Sequence, residues 1–321
     1  MLNRRTLLTG TAGFAVMGLA LGKAVAASLS GIEKASMRGS INATELGVQP
    51  GTSDDQSKAF AKLLRDANAR DMPVFLPPGT YVVSNLSLPG RVRLSGVPGA
   101  TRVVYGGDGH LFMAEQADHI ELSGLVFDGS NRTMGGYTQG LLDLRRIAHL
   151  AIDNCQITGS GKNGLALEHA IGRIERSEIS GAADAGIYSV EAGGLSITGN
   201  TVSDCANGGI LVHRWQVAED GTMVTGNRVQ RIQARSGGTG QNGNGINAFR
   251  AGNVVISGNI VSDCAFSAIR ANSASNLQIS GNTCSRSGET AVYSEFSFEG
   301  AIISNNIVDG AANGISIVNF N

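Results

Sequence analysis

Proline is scarce in this 321-residue chain, six residues against 45 glycines. No run of lysine and arginine marks a nucleic-acid surface, and no amphipathic helix marks a membrane surface. Four cysteines are present, but no Cys or His spacing fits a zinc site, and neither a metal nor a cofactor is expected. The one long apolar stretch, Leu7–Leu21, holds Gly10, Gly13 and Gly18 and is too short and weak to span a bilayer stably. Disorder is excluded as well, because aliphatic residues are plentiful and evenly spaced.

What fills the chain from about Leu150 onward is a repeat. Ile197-Thr198-Gly199-Asn200-Thr201-Val202 returns as Val224-Thr225-Gly226-Asn227-Arg228-Val229, and again at Ile256, Ile279 and Ile303. A second landmark pairs a small residue with an aliphatic one: Gly164-Leu165, Gly186-Ile187, Gly209-Ile210, Gly245-Ile246, Ala268-Ile269, Ala291-Val292 and Gly314-Ile315. The aliphatic members are 22, 23, 36, 23, 23 and 23 residues apart. The turn positions Cys155, Ser177, Asn200, Asn227, Asn259, Asn282 and Asn306 are 22, 23, 27, 32, 23 and 24 apart. Both series place two insertions, in Arg214–Gly221 and Arg231–Gly243, and both are expected to be loops.

Within a repeat the apolar residues alternate with period 2 in short runs, which is the pattern of strands. No repeat holds the ten or more residues at helical spacing that a helix hairpin needs. Three short strands per coil of about 23 residues give an all-β, single-stranded parallel β-helix. One coil cannot bury its own apolar face, so coils stack at about 4.8 Å and close the core between them. Asparagine in the turn column tolerates left-handed backbone and bonds to neighbouring turns, a structural role. The continuous repeat predicts one elongated domain over 27–321, with the N-terminal cap and first coils at about 40–105 and repeat coils over 106–321.

Stacking also decides the thiols. Cys205 and Cys264 share a column but lie two coils apart with Ile232 between them. Two coils are about 9.6 Å, beyond the reach of a disulfide. All four cysteines are expected to be free and mostly buried.

The repeat resembles the right-handed parallel β-helix proteins of the pectate lyase-like superfamily. Thr52-Ser53-Asp54-Asp55-Gln56-Ser57-Lys58-Ala59-Phe60 and Val74-Phe75-Leu76-Pro77-Pro78-Gly79-Thr80-Tyr81 are similar to that superfamily's capping region, in which a helix precedes a strand and turn. The resemblance covers about 40–321 and implies a right-handed solenoid with an N-terminal capping helix. Ser53 and Gln56 read as a capping box opening a helix through about Ala69, and Asp54-Asp55 as its start. Gln49-Pro50-Gly51 replaces the superfamily's usual Gly-Asp-Gly. Its familiar catalytic signatures are missing: paired Asp with Gly-His-Gly, Asp-Pro-His, and clustered calcium-binding Asp.

Residues 1–26 read as a signal peptide. Arg4-Arg5 precede the apolar run, and Lys23 precedes Ala24-Val25-Ala26. Paired arginines with mild hydrophobicity favour the twin-arginine route, and so a periplasmic or secreted protein. The whole chain resembles the repetitive twin-arginine-translocated β-helix proteins. Loss of Arg4, Arg5 and Lys23 takes the formal charge from −1 to −4, so the mature protein is mildly acidic.

On the small-aliphatic strands the aliphatic side chain points inward, so the residues one and three further along point out. The first outward column is Ala166, Tyr188, Leu211, Asn247, Arg270, Tyr293 and Ser316; the second is Glu168, Val190, His213, Phe249, Asn272, Glu295 and Val318. Elimination or epimerisation at a uronic acid needs a cation or amide on the carboxylate, a base for the adjacent proton, and often a phenol as acid. Arg270 or Asn247 fits the first role, His213 or Tyr293 the second, and Tyr188 the third. Asn247, Glu295, Phe249 and Arg250 are candidate substrate-binding residues. The two insertions flank this sheet, and Gly129–Gln139 is a third long connection at the corner of the second.

A plainer reading of the same residues is a solvated β surface, with Arg270 and Glu295 as a cross-strand pair. Two functions follow. One is an exported protein acting on or binding an acidic polysaccharide, as a lyase or epimerase. The other is a non-catalytic solenoid that binds glycan or scaffolds an envelope partner. Beyond the last small-aliphatic strand no cap is visible, so a partner or further sequence is expected at that end.

Overall fold

The computed structural model describes residues 37–319, a parallel β-helix. The proposed signal peptide lies outside the described residues. Every strand pairs in parallel with the equivalent strand one coil away, in one 19-stranded and one 10-stranded sheet. The strands of one face are, in chain order, β1 (Gly140–Asp153) and the small-aliphatic strands β2 (Asn163–Glu175), β3 (Ala185–Val190), β4 (Gly208–Glu219), β5 (Asn244–Gly252), β6 (Ile269–Asn272), β7 (Thr290–Glu295) and β8 (Asn313–Val318).

Their inward residues form one file. Leu165 pairs with Ile187, Ile187 with Ile210, Ile210 with Ile246, Ile246 with Ile269, Ile269 with Val292, and Val292 with Ile315. From Leu165 to Val292 they are fully buried, and at the last described coil Ile315 is 49% exposed. The residue before each must be small because coils approach closely there. A Cβ on Gly209 would meet the carbonyl oxygen of Gly245 and lie 2.6 Å from Cγ1 of Val229.

The asparagine column is a hydrogen-bonded file. Oδ1 of Asn227 accepts from the backbone N–H of Asn200 at 2.9 Å and from its side-chain amide at 3.0 Å. Asn227, Asn259 and Asn282 repeat both bonds to the next coil, ending on Asn306. Ser177 continues the file downward by taking its N–H to Asn200 at 2.9 Å. All four cysteines are free and buried, and burial pushes each thiol up to about 12.

Two expectations need correction. Helix α1 spans Ser57–Ala69 and closes the first coils with Phe60, Leu63, Leu64 and Ala67. No capping box opens it. The Gln56 amide turns back to Gln49, donating to its carbonyl at 2.8 Å, while Asp55 accepts from the Ser57 N–H at 3.0 Å. The second concerns Arg214–Gly221, which is largely strand. Strand β4 runs to Glu219, and its pairing with β5 jumps from His213–Phe249 to Ala218–Ala251. Four residues, Arg214–Val217, therefore bulge out opposite Arg250 alone. The insertion keeps its ladder bonds by bulging, which costs less than leaving a whole loop's backbone unpaired.

Candidate functional site

Both outward columns form with the register counted from the sequence. Tyr188 pairs with Leu211, Leu211 with Asn247, Asn247 with Arg270, and Arg270 with Tyr293. Val190 pairs with His213, His213 with Phe249, Phe249 with Asn272, and Asn272 with Glu295. The columns also continue one coil further back, where Asp143 pairs with Ala166 and Arg145 with Glu168.

This face is recessed. A depression of about 440 Å³ takes in His213, Asn247, Phe249, Arg270, Tyr293 and Glu295, six of the eight residues expected from the sequence. The second insertion walls it with Thr239, Gly240 and Gln241. Gly240 explains why Arg270 is only 7% exposed: a Cβ there would overlap the guanidinium, so only glycine lets the loop close over it.

Arg270 donates through both Nε and Nη2 to Oε1 of Glu295, the Nε bond being 2.7 Å, and Asn272 donates to the same oxygen at 2.9 Å. Its Nη1 lies 3.8 Å from Glu289 and makes no hydrogen bond. The guanidinium also sits 5.3 Å from the Tyr293 ring centre. The Tyr293 phenol is pushed up by burial and by the Glu295 carboxylate. His213 is edge-to-face between Tyr188 and Phe249, at 5.5 and 5.4 Å, and burial holds its imidazole down at about 4. It is therefore neutral at pH 7 and a weak proton acceptor.

Three residues lining this depression each hold a buried polar atom without a hydrogen-bond partner: His213 Nε2, Asn247 Oδ1 and Arg270 Nη1. An orphaned buried polar group costs about 1–3 kcal/mol, so such groups normally meet water or a ligand. The three residues here line the same recess and, with the imidazole as its Nδ1–H tautomer, hold two acceptors and one charged donor. That pattern suits a ligand dense in hydroxyls or carboxylates.

Tyr188 lies in a neighbouring depression of about 320 Å³ with Tyr137, Asp143, Arg145, Glu168 and Trp215. Its phenol is raised by burial and by the Asp184 and Glu168 carboxylates. Asp143 is fully enclosed, accepting from the Gln139 N–H at 2.8 Å and from Arg145 at 2.9 and 2.7 Å. Arg250 belongs to neither depression: it donates to the carbonyl of Trp215 at 2.6 Å and lies 4.7 Å from the Phe249 ring centre, fastening the bulge. Sequence reasoning missed Asp143, Arg145, Glu289 and Trp215 as site residues. Counting 23 back from Ala166 reaches Asp143, but Leu141-Leu142 lacks the small-aliphatic landmark. Trp215 sits in an insertion, where column arithmetic does not apply. Among the described residues no cluster of three His, Cys, Asp or Glu is arranged to hold a metal.

A single-chain parallel solenoid with a two-part recess on one sheet defines the class. Residues 124–321, more than half of the chain, match the family model of the right-handed β-helix region, and the chain belongs to that family. No curated protein matches it. Among solved structures it is similar to the A-module of the mannuronan C-5 epimerase AlgE4 of Azotobacter vinelandii, at 14% identity and TM-score 0.60 over 86% of this chain and 97% of that one. Gene product 12 of bacteriophage phi29 is similar at 18% identity and TM-score 0.63, over 83% of this chain and 42% of that one. The catalytic unit of a GH87 α-1,3-glucanase from Streptomyces thermodiastaticus is similar at 14% identity and TM-score 0.50, over 89% and 67%. At such identities the likeness is one of fold.

Proposed function

We propose that the protein is exported and acts by binding a polysaccharide in the recess of the outward columns. The observation that carries this is that His213, Asn247 and Arg270, each holding a buried polar atom without a hydrogen bond, line one depression. Sugar hydroxyls satisfy donors and acceptors alike, and Phe249 and Tyr293 supply apolar faces beside them. The mannuronan and α-1,3-glucan named for two structural neighbours support a glycan of this general kind. Export by the twin-arginine route rests on Arg4-Arg5 and the apolar run behind them.

Elimination or epimerisation at a uronate is the second reading. It rests on Nη1 of Arg270 as the cation for the carboxylate and on the phenols of Tyr188 and Tyr293. The depression itself offsets Arg270 with two carboxylates, Glu289 and Glu295. With His213 held at about 4 by burial, its imidazole is a weak base in this reading.

The deciding experiment is calorimetric titration of the mature protein with mannuronan, α-1,3-glucan and other neutral and uronate polymers, with absorbance followed for unsaturated product. At least one polymer is expected to bind, and Arg270→Ala to remove that binding. Silence across the whole panel overturns the glycan reading; binding without new absorbance removes elimination alone.

A further inference from the structure

The bulge Arg214–Val217 is held far more firmly than a surface insertion needs. Glu191 accepts from the Trp215 N–H through Oε1 and from Arg214 Nη2 through Oε2, both at 2.6 Å. Arg214 donates again to the carbonyls of Glu219 at 2.7 Å and Ala192 at 3.2 Å. Arg250 takes the Trp215 carbonyl from the other side at 2.6 Å. The Glu191 and Arg214 side chains are only 11% and 17% exposed, so the pair is largely desolvated. Desolvating an ion pair is costly, and here it is spent on fixing one backbone segment.

That segment carries the chain's only tryptophan, and the indole is 53% exposed. It is not loose: its ring stands edge-on to His169 at 5.4 Å. The indole lines the 320 Å³ depression, as does Tyr137. Tyr137 is fixed too, its hydroxyl 2.9 Å from Nδ1 of His110 and 3.3 Å from Oδ1 of Asn85. Ala166, the smallest side chain of its column, lines the depression on the sheet, next to Tyr188 in register. Fixed aromatic side chains lose little entropy on binding, which is the economy of a preorganised site. Arg145, held by the enclosed Asp143, and Glu168 supply the polar edge.

We infer that this depression is a second saccharide subsite, with the Trp215 indole as the face on which a pyranose ring stacks. The ligand is then a chain lying along the solenoid axis across both depressions. Ala166 and Arg270 are four coils apart in one column, about 19 Å at the sheet spacing, far longer than one sugar ring. The edge-to-face rings of Tyr188, which lines one depression, and His213 and Phe249, which line the other, link the two along the sheet. The inference builds on the glycan reading of this face and adds the place, the stacking residue and the minimum length.

A lone tryptophan makes its own probe, since its emission reports this subsite alone. The full protein is titrated with mannuronate and α-1,3-glucan oligomers from monomer to octamer, emission and calorimetry being read together. The expected result is a saturable emission shift with long oligomers of the glycan that binds, and none with monomers. Trp215→Ala should weaken the longest oligomer by about tenfold, and Trp215→Tyr by much less. Calorimetric binding with unchanged emission and a wild-type affinity for Trp215→Ala overturns the subsite while leaving the groove at Arg270 standing. No heat with any oligomer of either ladder removes the groove and the subsite together.

Discussion

Both Nε and Nη2 of Arg270 donate to a single oxygen of Glu295, one coil further along the sheet. The pair is almost sealed, with side chains 9% and 3% exposed. Removing one partner strands a buried charge, which costs about 3–5 kcal/mol in typical cases. Arg270→Met and Glu295→Leu are each expected to lower stability on that scale, and the double variant by less than either alone. A double-mutant cycle by denaturant unfolding measures it; additive losses would show that the two do not act as a unit.

The asparagine file yields a graded prediction. Asn227 accepts two bonds from Asn200 and donates to the carbonyl of Ile197 at 2.8 Å and to Oδ1 of Asn259 at 3.0 Å. Asn227→Ala orphans the buried N–H of Asn200 and is expected to cost about 1–3 kcal/mol. Asn306, half-buried at the last described coil, should matter less. Equal thermal shifts for the two alanine variants would contradict a column whose weight depends on burial.

Close approach between coils predicts a cost for the smallest possible addition. Gly209→Ala drives a methyl group against Val229 and the backbone of Gly245 and should destabilise by about 1–3 kcal/mol. Ala268 and Ala291 occupy the same position in later coils, so the limit is local spacing and not a general need for glycine. A stability of Gly209→Ala equal to wild type would mean that the coils can part there freely.

His213 gives the protein a sign for its acid response. Its folded value, about 4, lies below the unfolded value of 6.5, because burial disfavours the imidazolium. Between those values the unfolded chain binds more protons, so this contribution to stability is complete above about 6.5 and is lost as pH falls toward 4. His213→Gln should flatten stability against pH in that window and nowhere else. The same slope in the variant would assign it to other groups.

How legible was this protein? The coil count, the inward file, the free thiols and both outward columns follow from one fact, that equivalent positions recur about every 23 residues. Six of eight expected site residues share a depression for that reason. What escaped were features that break the period. The bulge at Arg214–Val217 has no counterpart in other coils, so neither its strand character nor the fixed Trp215 was countable. Arg250 sits opposite that bulge, and its role as a fastener depends on where the bulge goes. The helix start was misread because Gln56 finds better partners in Gln49, seven residues back, than in the first turn. Local motifs of this kind lose to tertiary partners that a motif does not include.

Charge in the larger depression separates the two readings of the substrate. One cation, Arg270, faces two carboxylates, Glu289 and Glu295, and the second is consumed by its pair with Arg270. Glu289 is left as the charge that a polyanion must approach, its carboxylate 3.8 Å from Nη1 of Arg270, which makes no hydrogen bond. A uronate chain pays for that repulsion and a neutral glycan does not. Glu289→Gln removes the charge and keeps an acceptor for Ser267, whose hydroxyl donates to Glu289 at 3.0 Å. If the natural ligand is neutral, this variant should leave its affinity nearly unchanged while improving mannuronate oligomers severalfold at low salt, an improvement that fades as salt screens it. If the ligand is a uronate whose carboxylate reaches Nη1, wild type already binds it well, and Glu289→Gln tightens it without altering the bound length. A loss of mannuronate affinity in Glu289→Gln would show instead that the carboxylate contacts the ligand directly.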